Sequence, residues 1–162
     1  MSEHLTTRAE PVPAPEGNFG YLFRLAHQRF RALLEDALEP LGLSAQEYGI
    51  LSLFAARREL STSELARISQ VTRQTMHTSI LSLEAAGLLQ RTAKNRRVVL
   101  VRPTKRGSMV LEAATRRVRV VERAALEGLS REEEQTVRAW LADLAAMSPS
   151  PRNATTQRQE VS

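Results

Sequence analysis

The chain has no cysteine, few aromatic residues (4%) and no long apolar run. Each shortage closes off a class of function. Without cysteine there is no disulfide framework, no thiolate zinc site and no thiol-based peroxide sensing. The three histidines, His4, His27 and His77, are scattered and lack the local spacing of a zinc motif, so no metal or other cofactor is expected. No stretch approaches eighteen apolar residues in a row, and the N-terminus shows no continuous apolar segment of the kind that directs secretion. The expected location is therefore the cytoplasm, away from the membrane. A Gly-rich phosphate loop and a nucleophile elbow are also missing, which argues against an enzyme.

What is present is basic charge in one place. Between Arg73 and Gly107 stand eight basic residues (Arg73, Arg91, Lys94, Arg96, Arg97, Arg102, Lys105, Arg106) against one acid, Glu84. That segment carries +7, whereas the whole chain carries +5, so everything outside it sums to −2. Charges that merely solvated a surface would be scattered; this concentration points to a nucleic-acid surface. The length of 162 residues allows one small domain with extensions, and 42% hydrophobic content can fill its core.

The periods along the chain are helical. Residues 1–17, with Pro11, Pro13 and Pro15, read as a flexible arm, and 148–162, with Pro149 and Pro151, as a flexible tail. Between them, Phe19, Leu22, Ala26, Phe30, Leu33, Leu34, Ala37 and Leu38 recur at three- and four-residue steps, predicting a helix from about Phe19 to Glu39 that Pro40 and Gly42 stop. Ser44 with Glu47, Ser61 with Glu64 and Ser130 with Glu133 are capping boxes that open three further helices. In the first of these, Tyr48, Leu51, Phe54 and Ala55 are expected on one face. Thr72 caps the next helix, Gly87 ends it, and Val71, Met76, Ile80 and Leu83 form its inner stripe. Leu88–Thr92 and Val98–Val101 read as a hairpin with a basic tip at Ala93–Arg97. Thr104 caps a long helix with Val110, Leu111, Ala114, Val118, Val121 and Ala125 on one side. The last helix is expected to bury Val137, Leu141 and Leu144, with Trp140 beside them.

Helix, tight turn, helix and basic hairpin is the order of a winged helix-turn-helix. The fold expected is thus mainly α, an α+β winged helix-turn-helix of about six helices with a short β-hairpin wing. The first and fifth helices are too long for so small a lobe to cover. Bare apolar stripes of about five turns exceed what a soluble monomer tolerates, so an intertwined homodimer is expected. The boundaries follow: 18–43 and 104–147 as dimerisation helices, 44–103 as the winged lobe.

Four stretches then match a known pattern: Phe19-Gly20-Tyr21-Leu22; Leu41-Gly42-Leu43-Ser44 leading to Tyr48; Ser63-Glu64-Leu65-Ala66 through Val71-Thr72-Arg73-Gln74-Thr75-Met76; and Leu83-Glu84-Ala85-Ala86-Gly87-Leu88. Asn95-Arg96-Arg97, followed by Pro103-Thr104 and Gly107, approximates an Asp-x-Arg wing pattern, with Asn in place of Asp. Over about Phe19 to Met147 the chain resembles the multiple antibiotic resistance regulator (MarR) family of bacterial transcription factors. The resemblance implies a repressor of a nearby promoter, released by a small molecule that is often phenolic or an aromatic carboxylate. It also implies an effector pocket between the dimer helices and the DNA-binding lobe, where Arg24, His27 and Tyr48 are candidate liners.

The residues give their own account of DNA binding. A recognition helix in the major groove would bring Arg73, Gln74, Thr75, His77 and Thr78 toward base edges and flanking phosphates, Gln suiting adenine and Arg suiting guanine or phosphate. Arg96 and Arg97 at the hairpin tip would reach the phosphate backbone or an adjacent minor groove. The expected partner is double-stranded DNA bearing a palindromic operator. The alternative is a winged-helix protein-interaction module whose charges meet an acidic partner.

Overall fold

The computed structural model describes residues 17–95 and 98–147. The arm expected over 1–17, apart from Gly17, and the tail expected over 148–162 lie outside the described residues. Six α-helices and three short strands follow in the order α1 (Phe19–Leu38), α2 (Ala45–Ser52), β1 (Leu60–Ser61), α3 (Thr62–Ser69), α4 (Arg73–Ala85), β2 (Leu89–Ala93), β3 (Val99–Pro103), α5 (Lys105–Ala125) and α6 (Arg131–Ala146). This is a mainly α winged helix-turn-helix. Among the described residues, no helix is long and apolar enough to cross a membrane.

The helix starts are set locally. Asn18 accepts the Tyr21 N–H at the head of α1. Both halves of the capping box are made at Ser44–Glu47, Ser61–Glu64 and Ser130–Glu133, so each cap satisfies two otherwise unpaired backbone donors. Hydrogen bonds from the Ser61 hydroxyl and backbone hold the Glu64 carboxyl below the usual carboxylate range. Those from the Ser130 backbone and hydroxyl do the same for Glu133.

The sheet is larger than the hairpin expected. β1 joins it, giving the antiparallel order β1-β3-β2, with Leu60 opposite Val101 and Ser61 opposite Leu100. The wing strands pair from Leu89↔Pro103 to Ala93↔Val99, one or two residues beyond the sequence boundaries. Lys94 N–H donates to the Val98 carbonyl at 2.9 Å, and Asn95 Oδ1 accepts the Val98 N–H at 2.9 Å, closing the loop locally.

By contact the chain divides into two units, one up to Glu122 and one from Arg123 onward. The core of the first gathers Leu38, Leu43, Ile50, Leu51, Phe54, Leu60, Leu65, Met76, Ile80, Leu83, Leu88, Leu89, Val101, Ala114 and Val118. Ala55, expected on the inner face of α2, is exposed. The backbone tightens to a 3-10 turn at Leu53–Ala55, and the change of pitch turns Ala55 outward while Ile50 takes an inner place. Ala125, expected on the α5 stripe, is also exposed. In the second unit no residue of α6 is buried, and Trp140 and Leu141 are each 43% exposed. The expectation that α6 buries Leu141 therefore fails for a single chain. α1 is similarly bare: Leu38 alone is buried, and Phe19, Leu22, Phe23, Leu25 and Leu33 are exposed.

One junction is unusually tight. Gly87 ends α4 with φ +69°, and the Leu88 N–H returns to the Leu83 carbonyl at 2.8 Å, the left-handed helix ending that glycine adopts without strain. Thr104 then donates its hydroxyl to the Gly87 carbonyl at 2.7 Å and accepts the Gly107 N–H at 2.9 Å. A Cβ on Gly107 would overlap the backbone carbonyl of Leu88, so only glycine lets α5 start this close to the end of α4.

Candidate nucleic-acid interface

α4 presents the candidate reading face. Gln70, in the left-handed region at φ +52°, makes the sharp turn out of α3. A residue with a Cβ is disfavoured there by about 1 kcal/mol. Thr72 Oγ1 accepts the Thr75 N–H at 3.1 Å and lies 2.8 Å from Thr75 Oγ1. Thr75 is accordingly half-buried, its hydroxyl engaged in the cap. Arg73, Gln74, His77 and Thr78 are exposed. Thr78 donates its hydroxyl to the Gln74 carbonyl at 3.1 Å. Leu81 shares this face at three- and four-residue steps from Thr78 and His77 and is 42% exposed. Sequence reasoning passed it over, although its spacing from His77 was available.

Beside this face lies a cavity of about 350 Å³ lined by Thr62, Ser63, Arg73, Met76, His77, Arg91 and Val99. Its lining combines Arg73, His77, Thr62 and Ser63, groups that can donate to an anionic oxygen, with Arg91 and the apolar Met76 and Val99. On this flank Arg91 of β2 pairs with Glu84 of α4, Nε at 2.8 Å and Nη2 at 2.7 Å from the same carboxylate oxygen. Arg96 and Arg97, the wing-tip candidates, lie outside the described residues.

On the opposite flank α4 meets α2. Gln46 Nε2 donates to Ser79 Oγ at 2.7 Å, and Ser82 donates to Glu47 Oε1 at 2.6 Å. Ser79 is the buried polar residue among the described core positions, and its partner Gln46 is exposed. Burial pushes the Glu47 carboxyl up, but hydrogen bonds from Ser82 and from the backbone and hydroxyl of Ser44 together outweigh it, leaving Glu47 below the usual range.

The effector candidates are dispersed. Arg24 and His27 are exposed on α1, and Arg24 donates to Gln28 Oε1 at 3.0 Å with its guanidinium 5.1 Å from the Tyr21 ring centre. Tyr48 is half-buried on α2 against the core. Among the described residues no hydrogen bond or ion pair joins Arg24 or His27 to Tyr48, so no polar contact gathers the three within one chain. Nor does any group of three or more His, Cys, Asp or Glu side chains among the described residues form a metal site.

Comparison with known proteins places this arrangement. The profile of the MarR family matches residues 41–97. The HTH-type transcriptional repressor Rv2887 of Mycobacterium tuberculosis is 30% identical over 135 residues, covering 82% of this chain and 97% of the relative. The solved structure of the same mycobacterial protein in complex with salicylic acid superposes with a TM-score of 0.62 at 31% identity, over 79% of this chain and 96% of that one. A MarR-family transcriptional regulator from Silicibacter pomeroyi superposes with a TM-score of 0.70 at 26% identity, over 82% of this chain and 91% of that one.

Proposed function

The chain belongs to the MarR family of transcriptional regulators, and from that premise we propose that it is a homodimeric repressor of a palindromic operator, released by a small aromatic carboxylate. The observation that carries the DNA reading is the solvent face of α4. Arg73, Gln74, His77 and Thr78 stand exposed together over its first two turns, within the segment that holds the chain's excess positive charge. Gln74 reads adenine, Arg73 takes guanine or a phosphate, and the methyl of the exposed Thr78 suits a thymine methyl. Thr75 serves mainly to hold the helix start, and His77 with Arg73 and Arg91 faces a phosphate at the cavity. Arg96 and Arg97 neutralise backbone phosphates from the wing.

The bare apolar face of α1 supports the dimer. Its Phe19, Leu22, Phe23, Leu25 and Leu33 are exposed in a single chain, apolar surface of the kind that a second copy would cover. A two-fold dimer offers two recognition helices to one side of DNA, so half-site centres fall about 10 bp apart. The effector assignment rests on the mycobacterial relative, solved with salicylic acid. Arg24 supplies a cation for the carboxylate, His27 a donor and Tyr48 a ring, with the pocket completed when a second copy covers α1. An effector that lowers DNA affinity binds the DNA-incompetent arrangement better, by the factor that sets maximal derepression.

The test is to sequence the DNA that the purified protein retains from its own genome, and to footprint it. Paired half-sites protected together, weakened by salicylate-like acids, are expected. A single asymmetric half-site held by one subunit would overturn the dimeric reading.

A further inference from the structure

Two adjacent residues of α2 grip two hydroxyls of α4 spaced three apart, Gln46 on Ser79 and Glu47 on Ser82. At about 100° per residue, Ser79 and Ser82 lie to one side of the Gln74–His77–Thr78 face, and Glu84, tied to Arg91, lies to the other. The reading face is thus bracketed by two polar braces. Apolar packing beneath it, through Met76, Ile80 and Leu83, fixes depth far better than rotation, because hydrophobic contact is non-directional. Hydrogen bonds have direction, and those from the first turn of α2 are short.

That turn is itself held from α1. Glu35 accepts the Ala45 N–H at 3.0 Å and faces Arg31 at 3.5 Å, while Glu47 closes the cap on Ser44 at 2.9 Å. A continuous polar path therefore runs from α1 through the start of α2 to the flank of α4.

We propose that Gln46 and Glu47 are positioning residues for DNA recognition: through Ser79 and Ser82 they set the rotation of α4 about its own axis, and so which side chains meet the base edges. This rests on α4 being the helix that reads DNA. A loosened brace lets the helix roll, and a roll moves Gln74 and Thr78 off their bases while the same positive charge still faces the phosphates. Discrimination between sequences should fall, with non-specific affinity and its salt dependence kept.

The experiment is selection of duplexes from a random library by the full chain, followed by salt titrations on the selected and a scrambled duplex. The wild type should enrich a sequence. Ser79→Ala/Ser82→Ala should lose about tenfold in discrimination, the size of one good base contact. It should keep its slope on scrambled DNA and hold its melting temperature within about 5 °C, since alanine is the better helix former. Glu47→Gln, whose amide oxygen can still accept the Ser44 N–H while its NH2 donates to the Ser82 hydroxyl, should discriminate like the wild type. Equal losses on both duplexes alongside a fall in melting temperature would show that the brace only stabilises, and undiminished discrimination would show that it does not orient; either overturns the proposal. A wild type that enriches no sequence would instead remove the DNA-reading premise, a result visible before any variant is compared.

Discussion

Both Nε and Nη2 of Arg91 converge on a single carboxylate oxygen of Glu84, which fastens the first wing strand to the last turn of α4. The two side chains remain about one-third exposed, so the pair contributes no more than about 1 kcal/mol to stability. Its larger effect is on charge, because Glu84 is the one acid in the segment from Arg73 to Gly107. Glu84→Gln should leave the melting temperature nearly unchanged and tighten binding to scrambled DNA several-fold in gel shifts at fixed salt. Unchanged non-specific affinity would place Glu84 away from the DNA-facing field.

Wing and recognition helix should separate in a salt titration. Arg97→Ala should weaken operator and scrambled DNA alike and flatten the plot of log affinity against log salt by about one unit per lost phosphate contact. Gln74→Ala should keep that slope and cost about 1–3 kcal/mol against the best operator, relaxing preference at one base pair per half-site. If Arg97→Ala instead keeps its slope and loses discrimination, the wing reads sequence or groove shape.

Light scattering of the intact chain should give twice the 18.1 kDa of one copy. Leu22, 49% exposed on α1, tests where the copies meet: Leu22→Glu should yield a folded helical protein at the monomer mass. Val118→Asp should behave differently. Val118 is only 4% exposed within its own chain, and an unpaired charge there costs several kcal/mol, so this variant should unfold.

Stability should fall in acid partly through Glu47. Its carboxyl is held below the usual range in the fold, so between the ordinary glutamate value, about 4.3, and the lower folded value the unfolded chain binds the proton first. The contribution is therefore full above that window and disappears as the pH drops through it. Melting temperatures of wild type and Glu47→Gln should converge toward the acid end; a constant gap would assign the effect to other carboxylates.

Gln70→Gly should stabilise the lobe by up to about 1 kcal/mol, because φ +52° is strained for glutamine and not for glycine. Chemical denaturation at neutral pH measures it. A destabilised variant would mean that contacts of the glutamine side chain outweigh the backbone relief.

The local features were legible in the sequence and the distant ones were not. All three Ser–Glu caps, Thr72 and Thr104 follow from residues three apart, and each is found. β1 was missed because two residues have no period, and its existence depends on Leu100 and Val101, forty residues away. Nothing beside Ser79 in the sequence marks it as buried; its hydroxyl is met by Gln46, 33 positions earlier. The apolar stripe on α6 was correctly periodic, yet periodicity does not say which surface covers it, and one chain leaves Leu141 open. For the candidate interface, exposure of Arg73, Gln74, His77 and Thr78 agrees with the helical spacing, whereas the use of Thr75 in the cap became visible only in the geometry.

The contact of Gly107 with the Leu88 carbonyl gives α5 the mechanics of a lever welded at one end. Where the end of α4 meets the start of α5, Thr104 ties the Gly87 carbonyl to the Gly107 N–H through one hydroxyl. From Lys105 to Glu122 the helix extends about 27 Å, so a tilt of roughly five degrees displaces its far end by about 2 Å. The gearing also runs backwards. A push of that size at the far end would turn the end of α4 by the same few degrees through this joint.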